Sequence, residues 1–215
     1  ATRDLYREDF SSEKEWKTAV YQTYRKAFGQ FYETVIDLGF TIANACYPMS
    51  VDETSTDLDP VYQASAVDRV IRFTRTEKAQ IFKALSDTIP EYRSRIRIFS
   101  PRVSLHALVN EYSGQTDTSY PCLGGISYFF IDSASGDTYP CGYRGHDNFG
   151  RFYESRRPLD LNSSPCRRCD WECFRDPSEL AGPVLDLITA PGSLAKKVIT
   201  DPVRFRLWAQ DLLYY

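Results

Sequence analysis

Phe40-Thr41-Ile42-Ala43-Asn44-Ala45-Cys46 is a short, mostly apolar run that follows a glycine, and its reading decides the fold. Such a run suits a strand covered on both faces. Upstream, Trp16, Val20, Tyr24, Phe28, Phe31, Val35 and Leu38 recur every three or four residues, which lines one face of a long helix. Ser12 and Glu15 have capping-box spacing before that helix, and Gly39 stands where a C-terminal cap belongs. Helix, glycine and buried strand make the α-to-β half of a parallel α/β unit. A second unit follows. Thr74 and Glu77 repeat the capping-box spacing, and Ile81, Phe82, Leu85 and Ile89 mark a helix face. Arg95-Ile96-Arg97-Ile98-Phe99 is the next strand, stopped by Ser100-Pro101. A short helix through Leu105, Leu108 and Val109 closes this half near Gly114.

The remaining organisation is less regular. Residues 47–66 form an acidic loop containing Pro and Ser, long enough to be a lid or binding loop, or simply disorder. Ile126–Ile131 has strand propensity, Asp132–Asp137 is turn chemistry, and Thr138-Tyr139 begins a return strand, so a β-hairpin is predicted. From Pro177 the tail reads as helical, its last helix carrying Val203, Phe205, Leu207, Trp208 and Leu212. Three segments result: 1–116, 117–176 and 177–215.

The chain of 215 residues is 42% hydrophobic and 26% charged, an ordinary composition for a globular protein large enough to bury a core. Its net charge of −3 gives no global basic field to recruit nucleic acid or an anionic membrane. No apolar run approaches bilayer length and no secretory signal opens the chain. The missing initiator Met fits a processed chain or an excised fragment.

Five of the six cysteines fall between Cys122 and Cys173. Crowding of this kind, with a C-x-x-C step at Cys166 and Cys169, favours a metal site over a disulfide framework and implies a reducing, cytoplasmic setting. The hairpin can bring Cys122 and Cys141 side by side. Folding that pair against Cys166 and Cys169 would converge four thiolates, which fits tetrahedral zinc or a cubane iron–sulfur cluster. Spacing alone barely separates the two.

The pattern Cys122-x13-Gly136-x4-Cys141, a gap, then Cys166-x2-Cys169 resembles the twitch domain, a shortened relative of the SPASM domain of radical S-adenosylmethionine enzymes. Pro121-Cys122-Leu123-Gly124-Gly125, Tyr128–Asp132 and Gly136–Cys141 add to the likeness, which covers roughly residues 117–176. The resemblance implies an auxiliary 4Fe–4S cluster held by Cys122, Cys141, Cys166 and Cys169, with Cys173 as an alternate ligand. It implies a fold in which the C-terminal half of a partial (β/α)6 barrel, ending in the two strands above, precedes a hairpin-containing iron–sulfur domain and C-terminal helices. The chain would then be the C-terminal portion of an oxidoreductase or maturase whose cluster binds substrate or accepts an electron from a substrate radical. The family's C-x3-C-x2-C signature is absent here, so these residues alone are expected not to cleave S-adenosylmethionine. That cofactor and a second 4Fe–4S cluster would belong to a missing upstream half. Implied partners are a peptide or small-molecule substrate and an electron donor such as a flavodoxin or ferredoxin, with no nucleic acid and no membrane. The alternative is a non-catalytic module stabilised by zinc on four cysteines.

Among other residues, Arg144, His146 and Asn148 lie in a glycine-rich stretch after Cys141 and are candidates for a substrate-facing loop. The same stretch also reads as a turn that lets the chain pass close to the site. Cys46 reads as a small core residue and His106 as a helix-face residue. Asn44, on the strand face of Cys46, is a candidate for a barrel mouth. The pairs Arg156-Arg157 and Arg167-Arg168 read as solvated charge, or as charge that raises a cluster's potential.

Overall fold

A computed structural model describes residues 5–47, 49–50, 59–61, 73–116, 118–154 and 166–215. The first long element, α1 (Glu13–Asp37), begins where Ser12 accepts a hydrogen bond from the Glu15 N–H at 3.1 Å. The return half of that capping box goes one residue further back, because the Glu15 carboxylate accepts from the backbone and hydroxyl of Ser11. At the other end Gly39 takes φ +83°, its N–H donating to Ile36 and that of Phe40 to Val35. This is a left-handed C-terminal cap that satisfies two orphan carbonyls. The buried residues of α1 are Trp16, Val20 and Tyr32, while Phe31 and Leu38 are exposed. The stripe therefore steps by four residues to Tyr32 rather than turning onto Phe31.

The next helix, α2 (Arg75–Tyr92), carries a complete capping box between Thr74 and Glu77. Pro90 lies inside its last turn. A proline has no N–H to give the carbonyl four residues back. The freed Ser86 carbonyl is taken by Arg102 Nε at 3.0 Å. On either side of α2 run β1 (Ile42–Ala43) and β2 (Arg97–Ile98), paired in parallel with Ile42 opposite Arg97. Then comes α3 (Arg102–Tyr112), whose N-cap Pro101 has no side chain to cap it. Asp211 supplies that cap from elsewhere, accepting from the Val103 N–H at 2.8 Å.

The hairpin is β3 (Phe130–Ile131) with β4 (Thr138–Tyr139), antiparallel. Its turn is held by the Asp132 carboxylate, which accepts from the backbone of Ala134 and Ser135. Three helices end the chain: α4 (Glu172–Thr189), α5 (Pro191–Thr200) and α6 (Pro202–Tyr214). Proline opens both α5 and α6, where a missing N–H costs nothing. No described helix is long and apolar enough to cross a membrane.

Two compact units divide these elements: Ala1–Tyr47, Val67–Ser119 and Glu179–Tyr215 form one, and Pro48–Ala66 with Tyr120–Ser178 the other. In the first, α1 packs on α2, α2 on α3, and α3 on α6. Tyr32, Phe82, Leu85, Ile89, Ile98, Leu105 and Leu108 lie in its buried core. The carboxylates buried there have partners. Asp211 pairs with Arg93 at 2.6 Å, and Glu179 with Arg204.

The expected partial (β/α)6 barrel is not the fold. The two predicted strands do pair in parallel, but as a two-stranded sheet only two residues deep. Helices take up 55% of the described residues. The cause lies in the burial pattern, since Ala43 and Ala45 face the core while Phe40 and Ile42 are 58% and 55% exposed. The run is covered on one face, and nothing in the described chain extends it into a barrel. Of the 47–66 loop, residues 48, 51–58 and 62–66 lie outside the described residues, as do Arg156 and Arg157.

Candidate functional site

The cysteine segment folds around a close approach of two chain passages. Gly125 takes φ +83°, and a Cβ there would fall 2.8 Å from the Pro140 Cβ. At Gly124 a Cβ would come within 2.8 Å of the Pro140 carbonyl oxygen and 3.2 Å of the Cys122 sulfur. Glycine at these two positions lets Cys122-Leu123 lie against Pro140-Cys141. We predict that Gly124→Ala costs about 1 to 3 kcal/mol, because the backbone atom it meets cannot swing away. Denaturant unfolding measures this, and a loss below about 0.5 kcal/mol would refute the close-approach account.

The third passage arrives through a backbone bridge. Cys122 and Cys166 sit opposite one another as an isolated antiparallel pair, the Cys122 N–H donating to the Cys166 carbonyl at 2.9 Å. Downstream, Asp170 and Ser50 exchange hydrogen bonds, Ser50 N–H to the carboxylate and Asp170 N–H to the Ser50 carbonyl. Arg175, itself buried, donates to the Cys169 carbonyl at 3.3 Å. The Ser178 hydroxyl accepts from the Leu123 N–H at 2.9 Å. Around them Trp171 packs against Phe130, Tyr143 and Phe174.

Four thiols thus share one neighbourhood. Cys122 feels the charge of Cys166 and Cys141, and Cys169 that of Cys122 and Cys166. Three of the sulfurs accept a backbone N–H two residues on, from Gly124, Tyr143 and Trp171. Those hydrogen bonds lower the thiol pKa, but burial outweighs them. It pushes Cys122 up to about 11 and Cys169 up to about 12, and raises Cys141 as well. Cys173 is exposed in the first turn of α4.

A raised folded-state pKa means that the native chain holds its proton more tightly than the unfolded one. Stability then holds below about pH 9, where both states are neutral, and falls as the pH rises through 9 toward 11 to 12. Thermal melts across that range should show the decline, and less of it in Cys122→Ser. Equal declines in the two proteins would contradict this assignment.

The other candidates are held in local structure. Arg144 pairs with Asp147 at 2.6 Å, and His146 Nδ1 lies 3.2 Å from Asp59. Asn148 donates to Asp137 and Tyr139 and accepts from the Gly150 N–H. Arg167 and Arg168 are exposed. His106 lies 3.0 Å from Asp201, the N-cap of α6. Asn44, the barrel-mouth candidate, accepts from the Ser100 hydroxyl at 2.6 Å and donates to Cys46, which is exposed rather than a core residue.

The gathered thiols do not make the expected metal centre. Among the described residues, no group of three or more Cys, His, Asp or Glu side chains is arranged to hold a metal ion. The cavity lined by Cys122, Cys166, Cys169 and Trp171 measures about 10 Å³, room for a single water at most. Among the described residues neither a 4Fe–4S cluster nor a zinc ion on four thiolates finds side chains arranged to hold it. With no such centre and no barrel, the resemblance to radical S-adenosylmethionine enzymes fails. The expected oxidoreductase or maturase activity, the bound S-adenosylmethionine with its second cluster, and the zinc-stabilised alternative fall with it. Trp171 and the buried Arg175 were not predicted as parts of the site, and Gly124-Gly125 entered the sequence reading only as part of the resemblance. No known protein family, no curated protein and no solved structure matches this chain.

Proposed function

We propose that the cysteine-rich unit is a reversible thiol switch, in which Cys122 and Cys166 pass between dithiol and disulfide. The observation that supports it is their position directly opposite one another across a hydrogen-bonded antiparallel bridge. Such pairs hold their Cα atoms about 5.5 Å apart, inside the range a disulfide spans. The partner is a small-molecule disulfide of the glutathione class. Cys166 attacks it as the thiolate and releases one thiol, while burial keeps Cys122 protonated until the second step. The opposite cysteine then displaces the second, so one S–S bond forms as one breaks and two electrons leave the protein. The setting is cytoplasmic, where protein disulfides are usually transient and redox-sensing.

Closing a loop of about 44 residues is worth about 4 kcal/mol in the chain-entropy model. Equilibration with oxidised glutathione should therefore remove two free thiols and raise the melting temperature. Cys122→Ser and Cys166→Ser should each abolish both effects, and Cys173→Ser should leave them. Oxidation that removes two thiols equally well without Cys166 would reject the switch.

A further inference from the structure

A cavity of about 400 Å³ opens in the first compact unit, where the second half of α3 meets the junction of α5 and α6. Its size falls in the range of small-molecule sites, roughly 300 to 1,000 Å³. His106 and Asn110, one turn apart on the same face of α3, line one side. Thr200 and Asp201, where α5 ends and α6 begins, line another. Both carboxylate oxygens of Asp201 lie near His106 Nε2, at 3.0 and 3.2 Å. A carboxylate only accepts, so in the neutral ring Nε2 carries the proton and Nδ1 keeps its lone pair. Nδ1 has no hydrogen-bond partner among the described residues.

The charges of the wall are matched within the protein. Lys197 pairs with Asp186 at 2.5 Å, and Arg204 with Glu179. Asp201 faces His106 and accepts from the Arg204 N–H as the cap of α6. What the wall offers a ligand is therefore uncharged: two side-chain amides, three threonine hydroxyls and the His106 lone pair. The side chains of Gln115, Thr116 and Thr118 have no hydrogen-bond partner among the described residues. The Thr200 hydroxyl donates to the Lys196 and Lys197 carbonyls and keeps its own lone pairs. Val203 adds one apolar contact. A wall of mixed donors and acceptors with its charges cancelled suits a ligand whose groups also donate and accept, as sugar hydroxyls do. We propose that this cavity binds a small neutral sugar. One sugar hydroxyl donates to His106 Nδ1, and others meet the Asn110 amide and the Thr118 hydroxyl.

The test titrates the isotope-labelled full chain with glucose, galactose and mannose in turn and follows the amide chemical shifts. At least one sugar should bind with a Kd below about 10 mM and move the amides of His106, Asn110 and Thr118. Asn110→Leu and Thr118→Val should each weaken that binding about five- to tenfold. Thr118→Val keeps the side-chain shape, so it serves alone if the amide spectrum shows that Asn110→Leu is unfolded. Inorganic phosphate should leave the same amides unmoved, because no unmatched cation faces it. Absence of saturable binding by all three sugars, or parental binding by Thr118→Val, would overturn the proposal. Shifts confined to other residues, or tighter binding of phosphate at this cavity, would overturn it as well.

Discussion

Asp211→Ala should lower stability by about 3 to 5 kcal/mol, the largest single loss expected in this protein. Its carboxylate is fully buried and performs two tasks at once. One oxygen pairs with Arg93, at the end of α2, at 2.6 Å. The other accepts from Val103 and caps α3, which has no cap of its own because Pro101 stands in that position. Removing the side chain leaves a mostly buried guanidinium unpaired and an orphan N–H at the start of α3. Arg93 also lies 4.3 Å from the Tyr214 ring centroid, so it would keep that contact. Asp211→Asn retains an acceptor for Val103 while losing the charge, and should cost clearly less than alanine. Urea unfolding of the three proteins measures this, and a loss under about 1 kcal/mol for alanine would mean that the pair behaves like a surface one.

Glu179→Ala should cost about as much, for a related reason. Glu179 and Arg204 form an ion pair with side chains 0% and 5% exposed, joining α4 to α6. Two buried charges gain little over apolar side chains of the same size, because desolvation offsets their attraction. Removal of one partner is different, since the other stays buried and uncompensated. The double variant Glu179→Leu with Arg204→Met should therefore recover most of what either single change loses. A double variant as unstable as the sum of the two singles would show that the pair is needed for more than mutual neutralisation.

These pairs were invisible in the sequence, and the reason is physical. Helix starts are local: Ser12 with Glu15 and Thr74 with Glu77 are legible because the capping residues lie within one turn of each other. The hairpin was legible through Asp132–Asp137 for the same reason. Asp211 caps a helix whose first residue lies more than a hundred positions away, and no local pattern encodes that. The stripe on α1 was legible as far as Phe28. Beyond it, Phe31 and Tyr32 offer equivalent apolar side chains, and only the neighbours decide that Tyr32 is buried.

The cysteine spacing was legible as proximity but not as chemistry. Hairpin geometry does bring Cys122 and Cys141 within reach of one another's charge, and the bridge adds Cys166. Whether gathered thiols surround a metal depends on how their side chains are arranged, and that is set by residues outside the pattern, such as Trp171 and Phe174 beside Cys122, Cys166 and Cys169. The barrel expectation failed on a similar point. A run such as Phe40–Cys46 has the same composition whether one face or two are covered.

The thiol switch is defined by which sulfurs join under oxidation. Peptide mapping of the chain equilibrated with oxidised glutathione, with free thiols blocked before digestion, reads this. The expected result is a cross-linked peptide pair joining Cys122 to Cys166, two mass units lighter than the sum of the two peptides, with Cys173 blocked as a free thiol. A dominant link between Cys166 and Cys169, or between Cys122 and Cys141, would contradict the bridge as the switch.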